Sequence, residues 1–200
     1  MSDIPVEYYQ SLFEVARQIN PTAGVSVALS RIVESTAHAM GCKACSIRLL
    51  SSVDQSLRVQ ATFGLSEGYL QKGPVLVAKS AADRQALQGN VVQIEDCMSD
   101  WRVQYPAEMA REGIRSVLVA PLQSRGSALG VIRVYTAEVR HFDDAERSFL
   151  KLIAELAAIA LDNARVFEAL RTEVHELRRQ VAELRQRLGL PRTTSGPTLV

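Results

Sequence analysis

The sequence predicts an α+β fold: an antiparallel sheet with helices on one face and a loop-rich insert on the other, followed by an extended C-terminal helix. Three observations predict it. Two segments with helical periodicity open the chain. Two pairs of alternating, strand-like runs flank a mixed stretch from Gly64 to Gly113. One helical pattern then runs from about Asp143 to Leu188.

Tyr8, Leu12, Val15 and Ile19 step by four, three and four, giving an amphipathic helix over residues 6–20 that Pro21 stops. A second helix presents Val25, Leu29, Ile32, Val33, Thr36 and Met40 on one face and ends at Gly41. The period then changes from helical to two. "ACSIRLLS" and "LRVQATF" alternate as strands around the polar turn "SSVDQS". Within the insert, "AKSAADRQALQG" reads as a short helix, "NVVQI" as a short strand and "PAEMAREG" as one or two helical turns. "IRSVLVAPL" and "ALGVIRVYT" form a hairpin closed by "QSRGS". The last helix follows, with Asp143 and Asp144 suited to its positive N-terminal end. Gly189 and Pro191 terminate it, and "TTSGPTLV" reads as unstructured. The expected organisation is a domain over 1–170 (helix 6–20, core 22–142, last helix from 143), a coil over 171–188 and a disordered tail over 189–200.

Composition narrows the function. An apolar fraction of 47% with 22% charged residues reads as globular, and a formal charge of +1 gives no basic stripe for nucleic acid. "LIAELAAIAL" is broken by Glu155 and followed by Asp162, so no membrane span is expected, and the N-terminus lacks a signal region. A cytoplasmic location is expected, and three cysteines fit a reducing compartment better than a disulfide framework.

The terminal helix carries heptads. Ile153, Ala160, Phe167, Val174, Val181 and Leu188 fall at a; Leu156, Asn163, Leu170, Leu177 and Leu184 fall at d. β-Branched residues at a with Leu at d favour a two-stranded parallel coil. Arg171, Arg178 and Arg185 at e agree, with Glu173 at g placed to meet a partner's Arg178. The expected interface is Phe167, Leu170, Val174, Leu177, Val181, Leu184 and Leu188, and the expected partner is a second copy of this chain. Asn163 has two readings: a register pin across the dimer axis, or a bond to a loop on the domain's own side.

"GIRSVLVAPLQSRGSALGVIRVY" and "HFDDAERSFLKLIAELAAIALDNARVFEAL", in this order and spacing, resemble the penultimate hairpin and last helix of GAF domains. The resemblance runs from about Tyr8 to Leu170. It implies a six-stranded antiparallel sheet, terminal helices that pair across a dimer, a ligand held between sheet and insert, and a sensory or bacterial-type regulatory role. Two family ligands are disfavoured. "HFDDAE" offers Phe142 and Glu146 without the Asn-Lys pair of cyclic-nucleotide binders, and Cys42, Cys45 and Cys97 lack the neighbouring His of bilin attachment. No cofactor is firmly implied.

Alternation places Cys45, Ile47 and Leu49 on one face of their strand, with Ser46, Arg48 and Leu50 on the other. Leu129, Val131, Arg133 and Tyr135 share a face of theirs. If both arginines lie under the insert, Arg48 and Arg133 would floor a small anion pocket, with Asp96 nearby and Trp101, Tyr105 and Met109 as an apolar lid. Alternatively the arginines pair with Glu95, Asp96 or Asp100, and the aromatics are core.

"GCKACS" and Cys97 raise a third reading. A minority of GAF proteins reduce free methionine sulfoxide with pocket cysteines, which makes Cys42, Cys45 and Cys97 candidates for a redox sensor or reductase. Against this, Cys42 and Cys45 straddle a helix end and a strand start, and buried cysteine is a common core residue. No histidine pair or cysteine set has metal-ligand spacing. The expectation is a non-enzymatic sensor that dimerises, binds a small molecule and signals along its coil to a protein in trans. A ligand-free dimerisation module is the other alternative.

Overall fold

The computed structural model describes Tyr8, Leu12 and residues 24–188. Apart from Tyr8 and Leu12, both helical, the helix read over 6–20 lies outside the described residues, as does the tail 189–200. The chain divides into two compact units, Met1–Asp162 and Asn163–Val200.

In the first unit, helix α1 (Val25–Ala39) leads into strands β1 (Ala44–Leu50) and β2 (Ser56–Phe63). The insert holds α2 (Glu67–Leu70), β3 (Val75–Leu76), α3 (Ala81–Leu87), β4 (Val92–Ile94) and α4 (Pro106–Glu112). Then come β5 (Ser116–Ser124), β6 (Ser127–Thr136) and α5 (Asp144–Arg187), whose first part, through Asp162, belongs to this unit. The strands form one sheet in the order β3-β2-β1-β6-β5-β4, with every neighbouring pair antiparallel. The expected sheet is therefore present, and β3 is the strand that local pattern alone did not reveal.

Each sheet face has its own core. On one, Leu29, Ile32 and Val33 of α1 meet Phe149, Ile153 and Ala157 of α5 over Ile47, Leu118, Ile132 and Val134. Tyr8 joins them, its ring stacked on Phe149 with centroids 4.2 Å apart. On the other, Val117, Val119, Val131 and Tyr135 face the insert's Tyr69, Ala82, Ala86, Ile94 and Met109. Alternation along β1 holds as read: Cys45, Ile47 and Leu49 lie with the helices, while Leu50 packs toward the insert. Thr36, buried on α1, donates to the Ile32 carbonyl at 2.6 Å, which satisfies its hydroxyl within the helix. At the start of α5, Asp143 Oδ1 accepts from Glu146 N (2.8 Å) and Glu146 Oε2 accepts from Asp143 N (2.9 Å), a reciprocal cap.

One part of the alternation fails. Leu129 lies in the helix-side core, opposite to Val131, Arg133 and Tyr135. The register shifts between Leu122, opposite Gly130, and Gln123, opposite Ala128, so Leu129 is the extra residue of a β-bulge and turns over. Gly130, next to it, lets β1 come close. A Cβ there would collide with the Arg48 carbonyl and stand 2.9 Å from Leu49 Cα. Gly130→Ala is expected to cost about 1–3 kcal/mol in urea unfolding, because the obstacle is backbone and cannot swing aside.

Candidate functional site

β1 and β6 are neighbours, with Ser46 opposite Arg133 and Arg48 opposite Val131. Arg48 and Arg133 are thus diagonal neighbours on the face beneath the insert. Their environments differ sharply. Arg133 is gripped by Asp83 of α3: Nε donates to Oδ1 at 2.9 Å, Nη2 donates to Oδ2, and Ser80 Oγ also donates to that carboxylate. Both partners are buried, so two charges removed from water neutralise each other.

Arg48 is only 1% exposed, yet its Nε and Nη2 have no hydrogen-bond partner. The three acids considered for it are engaged elsewhere. Asp96 binds Arg115 at 2.9 Å, Asp100 accepts from Arg102 Nε at 2.9 Å, and Glu95 lies 2.7 Å from His141. The expected pairing with Glu95, Asp96 or Asp100 is corrected: Asp83 takes Arg133, and among the described residues no carboxylate pairs with Arg48.

The roof comes from residues the sequence reading passed over. Tyr69 of α2 is buried, with its hydroxyl unpartnered and its ring edge-on to Tyr135 at 6.4 Å. Lys72 Nζ sits 3.4 Å from the Tyr69 ring centroid and 5.8 Å from that of Tyr105, and donates to the Tyr69 carbonyl at 3.1 Å. Burial, then the positive fields of Arg48 and Arg133, lower the Lys72 pKa to about 7, against the opposing pull of Glu108 and Glu112. Burial likewise pushes the Tyr69 phenol up, with Tyr135 adding to it.

Side-chain bonds tie the segments of the roof together. Tyr105 Oη donates to the Pro74 carbonyl at 3.1 Å, and Gln104 Oε1 accepts from Leu76 N at 2.9 Å. Glu112 of α4 accepts from Ser66 N at 2.8 Å and from Ser66 Oγ, which also caps α2 by accepting from Tyr69 N at 3.2 Å. What remains inside, between Tyr69, Lys72, Tyr105, Met109, Val117 and Arg133, is a cavity of about 20 Å³, room for one water. Tyr105 and Met109, two of the residues read as a lid, are among its lining. Trp101 does not: it is 79% exposed, and Asp96 is occupied by Arg115 outside the lining.

Burial disfavours the thiolate form of all three cysteines. Cys45 and Cys97 are buried and Cys42 partly so. Burial raises the Cys42 pKa to about 11, despite Arg140 nearby, and that of Cys97 to about 12, and lifts Cys45 as well. A thiolate is therefore scarce at neutral pH. Among the described residues no group of three or more His, Cys, Asp or Glu is placed to hold a metal, and no helix is long and apolar enough to cross a membrane.

In the second unit, residues 163–187 continue as helix, and Phe167, Leu170, Val174, Leu177, Val181, Leu184 and Leu188 are 46–71% exposed in the single chain. Arg179 pairs along that helix with Glu176 at 2.7 Å and Glu183 at 3.5 Å. Asn163 is exposed, while the residue before it, Asp162, meets Arg125 Nε of the β5–β6 turn at 3.0 Å.

Comparison with known proteins agrees with this architecture. The family model of the GAF domain matches residues 25–161. The GAF domain of a phosphoenolpyruvate-protein phosphotransferase from Coxiella burnetii superposes with a TM-score of 0.73 at 20% identity, covering 82% of this chain and 97% of that one. The equivalent domain from Acinetobacter gives 0.65 at 20% identity, over 81% and 96%. Free methionine-R-sulfoxide reductase from Neisseria meningitidis, solved with its substrate, gives 0.66 at 15% identity, over 79% and 90%. A search of curated proteins finds no significant match. At these identities the solved structures establish the fold alone, while the family model covers more than half of the sequence: the chain belongs to the GAF domain family.

Proposed function

We propose that this GAF domain is a non-enzymatic, cytoplasmic regulatory module that binds a small anion above Arg48, between sheet and insert, and signals as a parallel dimer. One observation carries the reading: a buried guanidinium with two nitrogens, Nε and Nη2, left without a partner, one strand away from a guanidinium paired with Asp83. Leaving a charged donor buried and unbonded is destabilising, and proteins keep such groups where a ligand completes them. A carboxylate or phosphate oxygen suits the fork of Arg48. Arg48 is not among the residues lining the small cavity beside Arg133, which has room for one water, so a ligand reaching Arg48 has to part the roof held by Ser66, Gln104 and Tyr105, and that opening would couple ligand to conformation.

The test reads two signs at once. Arg48→Met is expected to raise the stability of the ligand-free protein by about 1–3 kcal/mol in urea unfolding, since it deletes an uncompensated charge. The same variant is expected to lose the thermal shift that small carboxylates or phosphates give the wild type, about 2.7 kcal/mol at a hundredfold excess over the dissociation constant. An Arg48→Met protein that is markedly less stable, with no shift in the wild type, would show Arg48 to be ordinary framework.

The reductase reading has one point in its favour, the likeness to a methionine sulfoxide reductase fold, and raised thiol pKa values against it. The wild type is expected to show no turnover in a sulfoxide-reduction assay, and Cys97→Ser to leave ligand binding and stability nearly unchanged; turnover that Cys97→Ser abolishes would establish the reductase reading instead.

A further inference from the structure

The proposed anion site leaves the kind of anion unspecified, and a second unsatisfied group bears on it. Among the described residues, the buried side-chain nitrogen and oxygen atoms without a hydrogen-bond partner are Arg48 Nε, Arg48 Nη2 and Tyr69 Oη. Buried polar atoms are nearly always bonded, so two such residues over one pair of strands call for one cause. Contacts join them. The Tyr69 ring stands edge-on to that of Tyr135 at 6.4 Å, and Tyr135 Oη lies 2.9 Å from Ser46 Oγ. Ser46 precedes Arg48 by two positions on β1 and shares its face. Both residues therefore lie between the β1–β6 pair and the insert.

The unpartnered atoms specify a shape. Nε and Nη2 form one edge of a guanidinium, with two parallel donors set to face two oxygens. Arg133 shows that edge in use: Nε donates to Asp83 Oδ1 at 2.9 Å, and Nη2 donates to Oδ2. The same edge of Arg48 is thus the counterpart of one carboxylate. Charge points the same way. Arg48 and Arg133 are both buried and Asp83 alone answers them, so two cations against one carboxylate leave a single positive charge. Lys72 spends its charge apart from that group, on the ring face and carbonyl of Tyr69. A monoanion completes the balance, whereas a phosphate dianion exceeds it and sheds more hydration on entry. Tyr69 adds a second requirement. Burial keeps its phenol protonated, and in surroundings already rich in donors the partner that Oη lacks is an acceptor.

We propose that the ligand is a small monocarboxylic acid with one further, uncharged acceptor, its carboxylate laid along the Nε–Nη2 edge of Arg48 and its second oxygen receiving the Tyr69 hydroxyl. The inference rests on the anion-site reading of Arg48 and adds the ligand's chemical class, with Tyr69 as the residue that selects within it. Binding then leaves none of the three atoms unpaired. Asp83 contributes indirectly: by holding Arg133, it keeps that guanidinium from competing for the incoming carboxylate.

Isothermal titration of the full chain compares butyrate, 2-oxobutyrate and inorganic phosphate at about pH 8, where the acids are ionised and phosphate is mostly a dianion. 2-Oxobutyrate is expected to bind roughly tenfold more tightly than butyrate, which leaves Tyr69 unpaired, and at least about tenfold more tightly than phosphate. Tyr69→Phe deletes a hydroxyl that bonds nothing, so the fold is expected to persist, and the two acids are expected to bind within about twofold of each other. Arg48→Lys keeps the charge without the paired edge, and is expected to weaken 2-oxobutyrate by more than about tenfold. Equal affinity for the two acids in the wild type, or a preference that survives Tyr69→Phe, overturns the proposal. Tighter binding of phosphate than of either acid overturns it as well. If Arg48→Met abolishes that phosphate binding, the anion site stands while the carboxylate falls; if none of the three probes binds the wild type, both fall.

Discussion

Asp83→Ala is expected to cost about 3–5 kcal/mol, a large share of the stability of a domain this size. Asp83 is fully buried and supplies both oxygens to Arg133, with Ser80 donating to the same group. Removing the carboxylate leaves Arg133 charged, buried and unpaired, since a guanidinium cannot shed its proton within the stability range of proteins. The neighbouring Arg48 makes matters worse, because two buried, uncompensated cations would then lie on adjacent strands. The control is the double variant Asp83→Leu with Arg133→Met. Deleting both charges with side chains of similar volume is expected to recover most of the loss. Urea unfolding of the two variants separates a charge effect from a packing effect: a double variant as unstable as the single one would assign the cost to packing of α3.

Asp83 also shows where sequence reasoning reached its limit. Period-two alternation identified the face of Arg48 and Arg133, because strands in a sheet obey it wherever the ladder is regular. It misplaced Leu129, because the bulge opposite Gln123 adds a residue without any mark in the local pattern. It offered Glu95, Asp96 and Asp100 as partners by proximity in the insert. The structure instead satisfies two of these locally or along the insert's own edge, Asp100 by Arg102 and Asp96 by Arg115. A partial signal for Asp83 was present: it lies between Ala82 and Ala86 on the buried face of a short helix, although an acid in the first turn is also accounted for by the helix dipole. Lys72 and Tyr69 were harder to find. They depend on α2, four residues long, and on the two-residue strand β3 that returns the chain over the sheet, elements too short to carry a period. Trp101 misled in the opposite direction, since a large aromatic in an insert reads as a lid and here faces water.

Leu177→Lys with Leu184→Lys is expected to convert the proposed dimer into single chains, the largest effect of any substitution considered. In isolation the stripe from Phe167 to Leu188 is about half exposed, while Arg179, Glu176 and Glu183 pair along the helix. Burying a leucine is worth about 1.5–3 kcal/mol, and two copies of two leucines contribute together at successive d positions. Lysine removes that burial and sets like charges against each other across the axis. A loss of at least about 5 kcal/mol raises the dissociation constant more than a thousandfold, enough to move the midpoint from micromolar into millimolar concentrations. Light scattering across a concentration series reads the change directly, and circular dichroism should show helix content falling with it, since a single exposed helix of this length is marginal in water. Direction of pairing has its own readout. Leu188→Cys in a parallel coil brings two thiols side by side, and mild oxidation links them quickly. In an antiparallel coil built on the same 167–188 stripe the two ends lie roughly 30 Å apart and stay unlinked. A wild-type chain that remains monomeric at high concentration would remove the dimer and, with it, the route by which opening of the roof above Arg48 is proposed to travel.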